Sequence, residues 1–263
     1  MIQFKNKNCL DYLKTLEGES VDLVLTDPPY FIGFDGGKGW DSQWKSEDEY
    51  LDWCREWTEE CARVLKPERM MVIWGTLKTD TFLRHKLEIL NKIPGLYSQN
   101  EIVWSYNWGG RQKKNFARKH EYAWCYSKEK EFLFNADDVR IERILKSDIR
   151  KSKELGDDFI DKYGETHVDL WGEPIDTPSK SEIKKHREEV VNEVAFEKGT
   201  IPTCVWEKNN HTTSKDFCGW HPTTKNVELL ERIIKAYTNP GDTVLDIFMG
   251  SGSTMIALSL IHI

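Results

Sequence analysis

The sequence has no run of 18 apolar residues and no apolar stretch near its start, which reads Met-Ile-Gln-Phe-Lys. The first absence argues against a membrane-spanning helix and the second against an export signal. We therefore expect a cytoplasmic chain without membrane contact. Its 263 residues, 39% of them hydrophobic, suffice for one α/β domain with an insertion.

Closely spaced cysteine pairs are also missing. The six cysteines are scattered, and no two are separated by only two residues. Without an export signal, this spacing predicts reduced thiols. Cys204, His211, Cys218 and His221 form the one cluster that suggests zinc, but their gaps do not match the short ligand pairs of structural zinc sites. We therefore predict no metal.

Positive charge is not in excess, because 37 Lys and Arg face 44 Asp and Glu, giving a formal net charge of −7. Nucleic-acid binding depends on a local basic surface, however, so the total does not exclude it. Residues 109–120 contain five Lys and Arg and no acidic residue. We predict that these cations contact phosphates, the alternative being a solvated basic loop. They are Arg111, Lys113, Lys114, Arg118 and Lys119.

Apolar spacing predicts strands that alternate with helices. Short apolar runs indicate strands at residues 21–26, 70–74, 101–106, 122–126 and 243–247, and helical spacing indicates helices at 9–16, 46–66, 79–90 and 227–237. This alternation predicts an α/β fold with a mostly parallel sheet. Residues 136–200 are instead dense in charge and poor in large apolar residues, which predicts a solvated insertion.

The strand at residues 21–26 ends in Asp27-Pro28-Pro29-Tyr30, at the edge where open α/β sheets bind ligands. Asp27 offers a carboxylate acceptor, and Pro28 offers a carbonyl that two rigid rings hold in place. Such acceptors suit an exocyclic base amine, whose lone pair is delocalised into the ring. Tyr30 adds a flat face for a base turned out of a duplex. The alternative is a proline turn that merely ends a strand.

A second loop joins the strand at residues 243–247 to a helix. Gly250 and Gly252 let its backbone approach a ligand closely. No Gly-Lys-Ser/Thr follows, which excludes a P-loop, and Met255 stands where a dinucleotide fingerprint has its third glycine. A nicotinamide dehydrogenase therefore fits poorly. The loop comprises Asp246, Ile247, Phe248, Met249, Gly250, Ser251, Gly252, Ser253 and Thr254.

Together these loops resemble the amino-DNA methyltransferases, and their order is that of the permuted β class. The resemblance implies a Rossmann-like, S-adenosylmethionine-dependent methyltransferase fold, circularly permuted. It also implies that Asp27, Pro28, Pro29 and Tyr30 are catalytic. The cofactor would contact Asp246, Phe248, Met249, Gly250, Ser251, Gly252, Ser253 and Thr254.

Two further segments resemble cofactor contacts of the family. The segment His-Pro-Thr-Thr-Lys at residues 221–225 is similar to the one beside the methionine end of the cofactor, which implicates His221, Thr223 and Lys225. The turn that begins with Asn8 and Cys9 is similar to one near the cofactor's adenine, although the family has an acidic residue where this chain has Asn8.

The activity implied is methyl transfer from S-adenosylmethionine to adenine N6 in double-stranded DNA, with the target base flipped out. A tetrad that begins with Asp favours adenine, and cytosine N4 is the alternative. Residues 1–135 would form the catalytic half, residues 136–200 a target-recognition region and residues 201–263 the cofactor half. The same resemblance suggests a prokaryotic or phage-encoded protein, a homodimer and a restriction nuclease as partner.

The chain ends shortly after the glycine loop, whereas the family continues to a strand whose acidic residue holds the cofactor ribose. Residues 258–263 also match the translation of a common sequencing adapter. We therefore expect a truncated cofactor half. An inactive DNA-binding fragment is the further alternative that this expectation leaves open.

Overall fold

The computed structural model describes residues 2–106, 114–140, 204–207 and 224–261. The chain divides into two compact units, Met1–Asp138 with Thr203–Ile263 and Val139–Pro202. The second unit lies almost entirely outside the described ranges, so the fold and the site given below are those of the first.

A sheet organises the first unit, and its order is β5-β3-β4-β2-β1-β6 in the described ranges. β1 pairs in parallel with β2 and β6, and β3 pairs in parallel with β5, while β4 is antiparallel to both of its neighbours. The predicted mostly parallel α/β fold is confirmed, with β4 as the reversed strand. The strands are β1 (Val21–Thr26), β2 (Leu65–Gly75), β3 (Leu96–Ser105), β4 (His120–Lys128), β5 (Val205–Glu207) and β6 (Val244–Leu245).

β1 is buried along its whole length, as its apolar sequence predicts for a strand covered on both faces. Asp22 is the exception in that sequence, since it is a charged residue that is only 2% exposed. Lys66 and Arg69 neutralise it, with nitrogen–oxygen distances of 2.8 and 3.2 Å. Burial opposes the charge of Asp22, but these partners and the N–H of Thr243 lower its pKa.

Helices cover the sheet, and none in the described ranges is long and apolar enough to cross a bilayer. α2 begins as predicted, because Ser46 caps it and accepts the N–H of Glu49 at 3.1 Å. α3 continues into a π-helical turn, His85–Ile89, and a 3₁₀ turn, Leu90–Lys92. The helices are α1 (Cys9–Leu13), α2 (Glu47–Val64), α3 (Thr81–Arg84), α4 (Val227–Tyr237) and α5 (Ser253–Ile261), with a 3₁₀ turn at Ala136–Val139.

The core lies between the sheet and α2. Tyr50, Cys54, Trp57 and Cys61 recur every three or four residues on one face of α2 and are buried there. Phe248, from the loop after β6, packs partly buried against this cluster. The core therefore reaches the loop that the sequence singled out.

Several element boundaries differ from the expected ones. β2 begins at Leu65 because that residue pairs with Val21, although residues 66–69 lack an apolar pattern. β6 ends at Leu245, two residues early, because the carboxylate of Asp246 accepts the N–H of Phe248 and turns the chain away. α1 ends at Leu13, three residues before the predicted end.

Candidate active site

The candidate site lies at the edge of the sheet where β1, β2, β3 and β6 end. Asp27 follows β1, Asp246 follows β6, and Trp74 and Trp104 are the penultimate residues of β2 and β3. Because β4 runs the other way, its second residue, Glu121, lies opposite Trp104 at the same edge. Open α/β sheets bind ligands at the carboxyl ends of their parallel strands.

A cavity of about 540 Å³ opens at this edge. Its size falls within the roughly 300–1,000 Å³ that is typical of small-molecule sites. The whole tetrad, residues 27–30, lines the cavity. So do eight of the predicted cofactor residues, which are Lys225, Asp246, Phe248, Met249, Gly250, Ser251, Ser253 and Thr254. The structure therefore brings the two loops into one hollow.

Hydrogen bonds fix the tetrad. The hydroxyl of Tyr30 donates to Oδ1 of Asp27 at 2.5 Å. The hydroxyl of Tyr50 donates to the carbonyl of Pro29 at 2.7 Å, which ties the proline turn to α2. Burial, followed by the charges of Asp27 and Glu121, raises the pKa of Tyr30 well above its ordinary value. Tyr30 therefore remains a donor at neutral pH.

Lys225 is the cation of this site, although the sequence implicated it in cofactor binding. Its side chain is 4% exposed, and its Nζ lies 2.5 Å from Oδ2 of Asp27 and 3.2 Å from Oε2 of Glu121. The same Nζ donates to the hydroxyl oxygen of Tyr30 at 2.9 Å. Burial lowers the pKa of Lys225, but the two carboxylates outweigh burial and raise it overall. Lys225 is therefore charged.

Asp246 anchors the glycine loop. Its oxygens accept the hydroxyl of Thr254 at 2.7 Å, the hydroxyl of Thr26 at 3.1 Å and the N–H of Phe248 at 3.1 Å. Burial raises the pKa of Asp246 to about 6 against these three hydrogen bonds. Within the loop, the N–H of Gly252 closes a turn on the carbonyl of Met249 at a φ of +81°, a conformation that favours glycine.

A second carboxylate shapes the loop after the tetrad. Asp41 is 1% exposed and accepts the N–H groups of Phe31, Ile32 and Phe34 at 2.7, 2.9 and 3.1 Å. Three backbone donors on one carboxylate hold the loop in a fixed curve and satisfy the buried charge. Asp41 itself lines the cavity, so this loop forms one of its walls.

The other predicted site residues are distributed as follows. Asn8, Cys9 and Gly252 lie outside the cavity lining, and the side chain of Asn8 caps α1 by accepting the N–H of Leu10 at 2.9 Å. Arg118 and Lys119 line the cavity, whereas Lys114 is exposed beyond it. Arg111, Lys113, His221 and Thr223 lie outside the described residues.

Sequence reasoning gave no role to several residues that shape the cavity. Trp74 ends the strand predicted at residues 70–74, and Trp104 lies near the end of the one predicted at 101–106, so the edge rule alone would have found them. Glu121 requires the knowledge that β4 is reversed, because a parallel strand would place its first residues at the opposite edge. Asp41 left no signal, since its partners are backbone groups.

The chain matches the family model described as DNA methylase over residues 21–262. The type II methyltransferase M.HpaI of Haemophilus parainfluenzae is 31% identical over 94% of this chain and 63% of its own length. M.BglII of Bacillus subtilis is 30% identical over 95% of this chain and 60% of its own length. The DNA adenine methyltransferase YhdJ of Escherichia coli K12 is 32% identical over 94% and 71%. The chain thus spans less than two thirds of the first two relatives.

Solved structures share the fold at lower identity. The cytosine-N4-specific PvuII DNA methyltransferase has a TM-score of 0.63 at 17% identity, covering 97% of this chain and 76% of its own. M1.HpyAVI, solved as a SAM complex, has a TM-score of 0.52 at 21% identity, covering 99% and 90%. In this chain the strand of the tetrad precedes the strand of the glycine loop in sequence and pairs with it in parallel, which is the permuted order expected from the sequence. The chain belongs to the N6/N4 DNA methylase family.

Proposed function

We propose that this chain transfers a methyl group from S-adenosylmethionine to the N6 amine of adenine in double-stranded DNA. The observation that carries the proposal is the shared cavity, since the tetrad and the glycine loop line one hollow. Methyl transfer needs donor and acceptor side by side, and positioning two reactants contributes much of the rate enhancement.

The lining fits a nucleoside-type cofactor on the side of β6. Gly250 has a φ of +52° and no side chain, so the backbone of its loop can lie against a ligand. Phe248 offers an aromatic surface, and Asp246 supplies an acceptor for a cationic or hydroxyl-bearing group. When bound, S-adenosylmethionine supplies a methyl group activated by a positively charged sulfur.

The tetrad would hold the target amine. Asp27 and the carbonyl of Pro28 accept its two N–H groups, which favours a tetrahedral nitrogen with its lone pair directed at the methyl group. Tyr30 fixes Oδ1 of Asp27 through its hydroxyl and presents its ring to the base. Trp74 and Trp104 line the same cavity and give part of its wall an apolar surface, which strengthens nearby hydrogen bonds.

The test is methylation of a plasmid with the purified chain, followed by digestion to nucleosides and mass spectrometry. We expect N6-methyladenine. Detection of N4-methylcytosine instead would identify cytosine as the target base, since the same acceptors suit its exocyclic amine. Absence of both products, with DNA bound but no calorimetric heat on addition of S-adenosylmethionine, would replace the proposal by an inactive DNA-binding chain.

Three cations in the lining of the cavity support a DNA backbone contact. Lys78, Arg118 and Lys119 line it, and the Nζ of Lys78 lies 5.9 Å from the ring centroid of Phe34. We propose that these cations hold phosphates beside the flipped nucleotide. In the same scheme, residues 136–200 would read the target sequence, and a homodimer or a partner nuclease would be further associations.

The salt dependence of DNA binding tests this surface. Replacing Lys78 and Lys119 with alanine should lower the slope of log affinity against log salt by about 1 for each phosphate that is no longer neutralised. Fluorescence anisotropy with a labelled duplex at several salt concentrations measures the slope. Lys14→Ala is the matched control, because Lys14 is exposed and outside the cavity lining. An unchanged slope in the double variant would show that these cations do not contact DNA phosphates and that the DNA-binding surface lies elsewhere.

A further inference from the structure

The tetrad aspartate is already engaged by protein donors on both of its oxygens. Tyr30 donates to Oδ1 and Lys225 to Oδ2, each at 2.5 Å. An ionised carboxylate has about four lone-pair positions, so two positions on Asp27 are still open for a target amine. A base can therefore bind Asp27 without displacing Lys225.

The charges around Asp27 balance only in part. Asp27 and Glu121 both reach the Nζ of Lys225, so one buried cation serves two carboxylates. Without the cation, the two carboxylates would face each other without a shared counterion, and like charges at close range disfavour each other. Lys225 is therefore the shared counterion of both acids.

We propose that Lys225, held in turn by Glu121, is a positioning residue that keeps Asp27 a charged hydrogen-bond acceptor rather than a proton acceptor. The effect of Lys225 on methyl transfer depends on the proposed function. Its ion pairs with Asp27 and Glu121 depend only on the geometry. It gives Lys225 a role at the target amine, whereas the family resemblance implicated it only in cofactor contact.

The other ionisable groups around Asp27 do not replace Lys225. Lys78, Arg118 and Lys119 line the same cavity, but Lys225 is the cation that pairs with both Asp27 and Glu121 in the described residues. Asp246, after β6, and Tyr50, from α2, both interact electrostatically with Asp27, and neither carries positive charge. Tyr106, at the end of β3, interacts with both Glu121 and Lys225, and burial, followed by the charge of Glu121, raises its pKa to about 12. Tyr106 is therefore neutral in the working range.

The consequence concerns the proton that the amine loses after methylation. Tyr30 and Lys225 already donate to the two oxygens of Asp27, so we expect this proton to be released to water rather than held by Asp27. Loss of the cation should reverse this, because two carboxylates without a shared counterion favour protonation of one of them. A protonated Asp27 is a weaker acceptor for the amine N–H, so the rate should fall at low pH.

The experiment compares rate against pH from about pH 5 to 9 in single turnovers for the wild type, Lys225→Met, Glu121→Gln and the double variant. Lys225→Met should move the acid limb upward by about 1 pH unit or more, which is a rate loss of up to about ten-fold on the limb itself with little loss at pH 9. Adding Glu121→Gln should move the limb back down, because the second carboxylate is gone.

Lys66→Met is the matched control. Lys66 also pairs with a buried carboxylate, that of Asp22, but Arg69 remains as a second partner and the pair lies outside the cavity lining. Its acid limb should not move. Two outcomes would overturn the inference. One is a Lys225→Met rate that is lower than the wild-type rate by the same factor at every pH. The other is an acid limb that stays shifted when Glu121→Gln is added to Lys225→Met.

A second measurement separates failure of the inference from failure of the proposed function. Carboxyl ¹³C NMR titration needs no activity and should show one site carboxyl titrating at higher pH in Lys225→Met than in the wild type. Unchanged titration overturns the inference, whereas an inactive wild type with this shift overturns only the proposed function. If Lys225→Met does not fold, Glu121→Gln alone decides, since its acid limb should move to lower pH; no movement would contradict the inference.

Discussion

Asp27→Ala should lower the single-turnover methylation rate by at least about 10²–10³-fold, the usual cost of losing one preorganised polar contact at a reacting centre. The fold should survive, because Lys225 keeps its contacts with Glu121 at 3.2 Å and with Tyr30 at 2.9 Å. No buried cation is left unpaired. Rapid-quench kinetics measure the rate, and circular dichroism with calorimetric binding of S-adenosylmethionine monitors the fold and the cofactor pocket.

The matched control for this variant is Asp52→Ala. Asp52 lies on the exposed side of α2, outside the cavity lining, so its loss should leave the rate unchanged. If Asp27→Ala retained more than a tenth of the wild-type rate, the amine would be held by other groups and the assignment of the tetrad would be wrong.

Trp57→Ala should lower the free energy of unfolding by about 3–5 kcal/mol, the range for truncating a large buried aromatic residue. Trp57 is fully buried, and its ring lies 5.5 Å from that of Phe248 and 5.2 Å from that of His85. Such a loss is a large part of the roughly 5–15 kcal/mol that stabilises a typical domain. Because Phe248 lines the cavity, cofactor affinity should fall as well. Urea denaturation and calorimetry measure the two effects.

Two comparisons isolate the cause. Phe116→Ala removes an aromatic side chain that is 93% exposed and should change stability little. Trp57→Phe keeps most of the packing against Phe248 and His85, so it should cost far less than Trp57→Ala. Equal losses for Trp57→Phe and Trp57→Ala would show that packing against Phe248 is not the source of the effect.

The local chemistry of the two loops could be predicted because it depends on neighbouring residues. A buried strand followed by two prolines has to stop, so Asp27 had to lie at a strand end. Asp246 and Gly250 follow another apolar strand and predict the same edge. The capping of α2 by Ser46 was equally predictable, since a cap and its helix are adjacent in sequence.

The partners of Asp27 could not be predicted in this way. Lys225 follows Asp27 by 198 positions in the sequence, and no spacing rule links them. Glu121 reaches the site only because β4 is antiparallel to β2 and β3, a direction that its own residues do not encode. Asp41 was equally hidden, because it binds backbone N–H groups rather than side chains with a recognisable pattern.

The sequence by itself thus predicted which residues would carry the chemistry and determined that two of its loops lie at strand ends, because apolar runs, prolines and glycines act over a few neighbouring residues. Tertiary structure alone decided that Lys225 and Glu121 surround Asp27 and that Phe248 rests on Trp57. Those contacts depend on strand order and direction, which arise from pairing between distant segments and are settled by the energy of the whole fold.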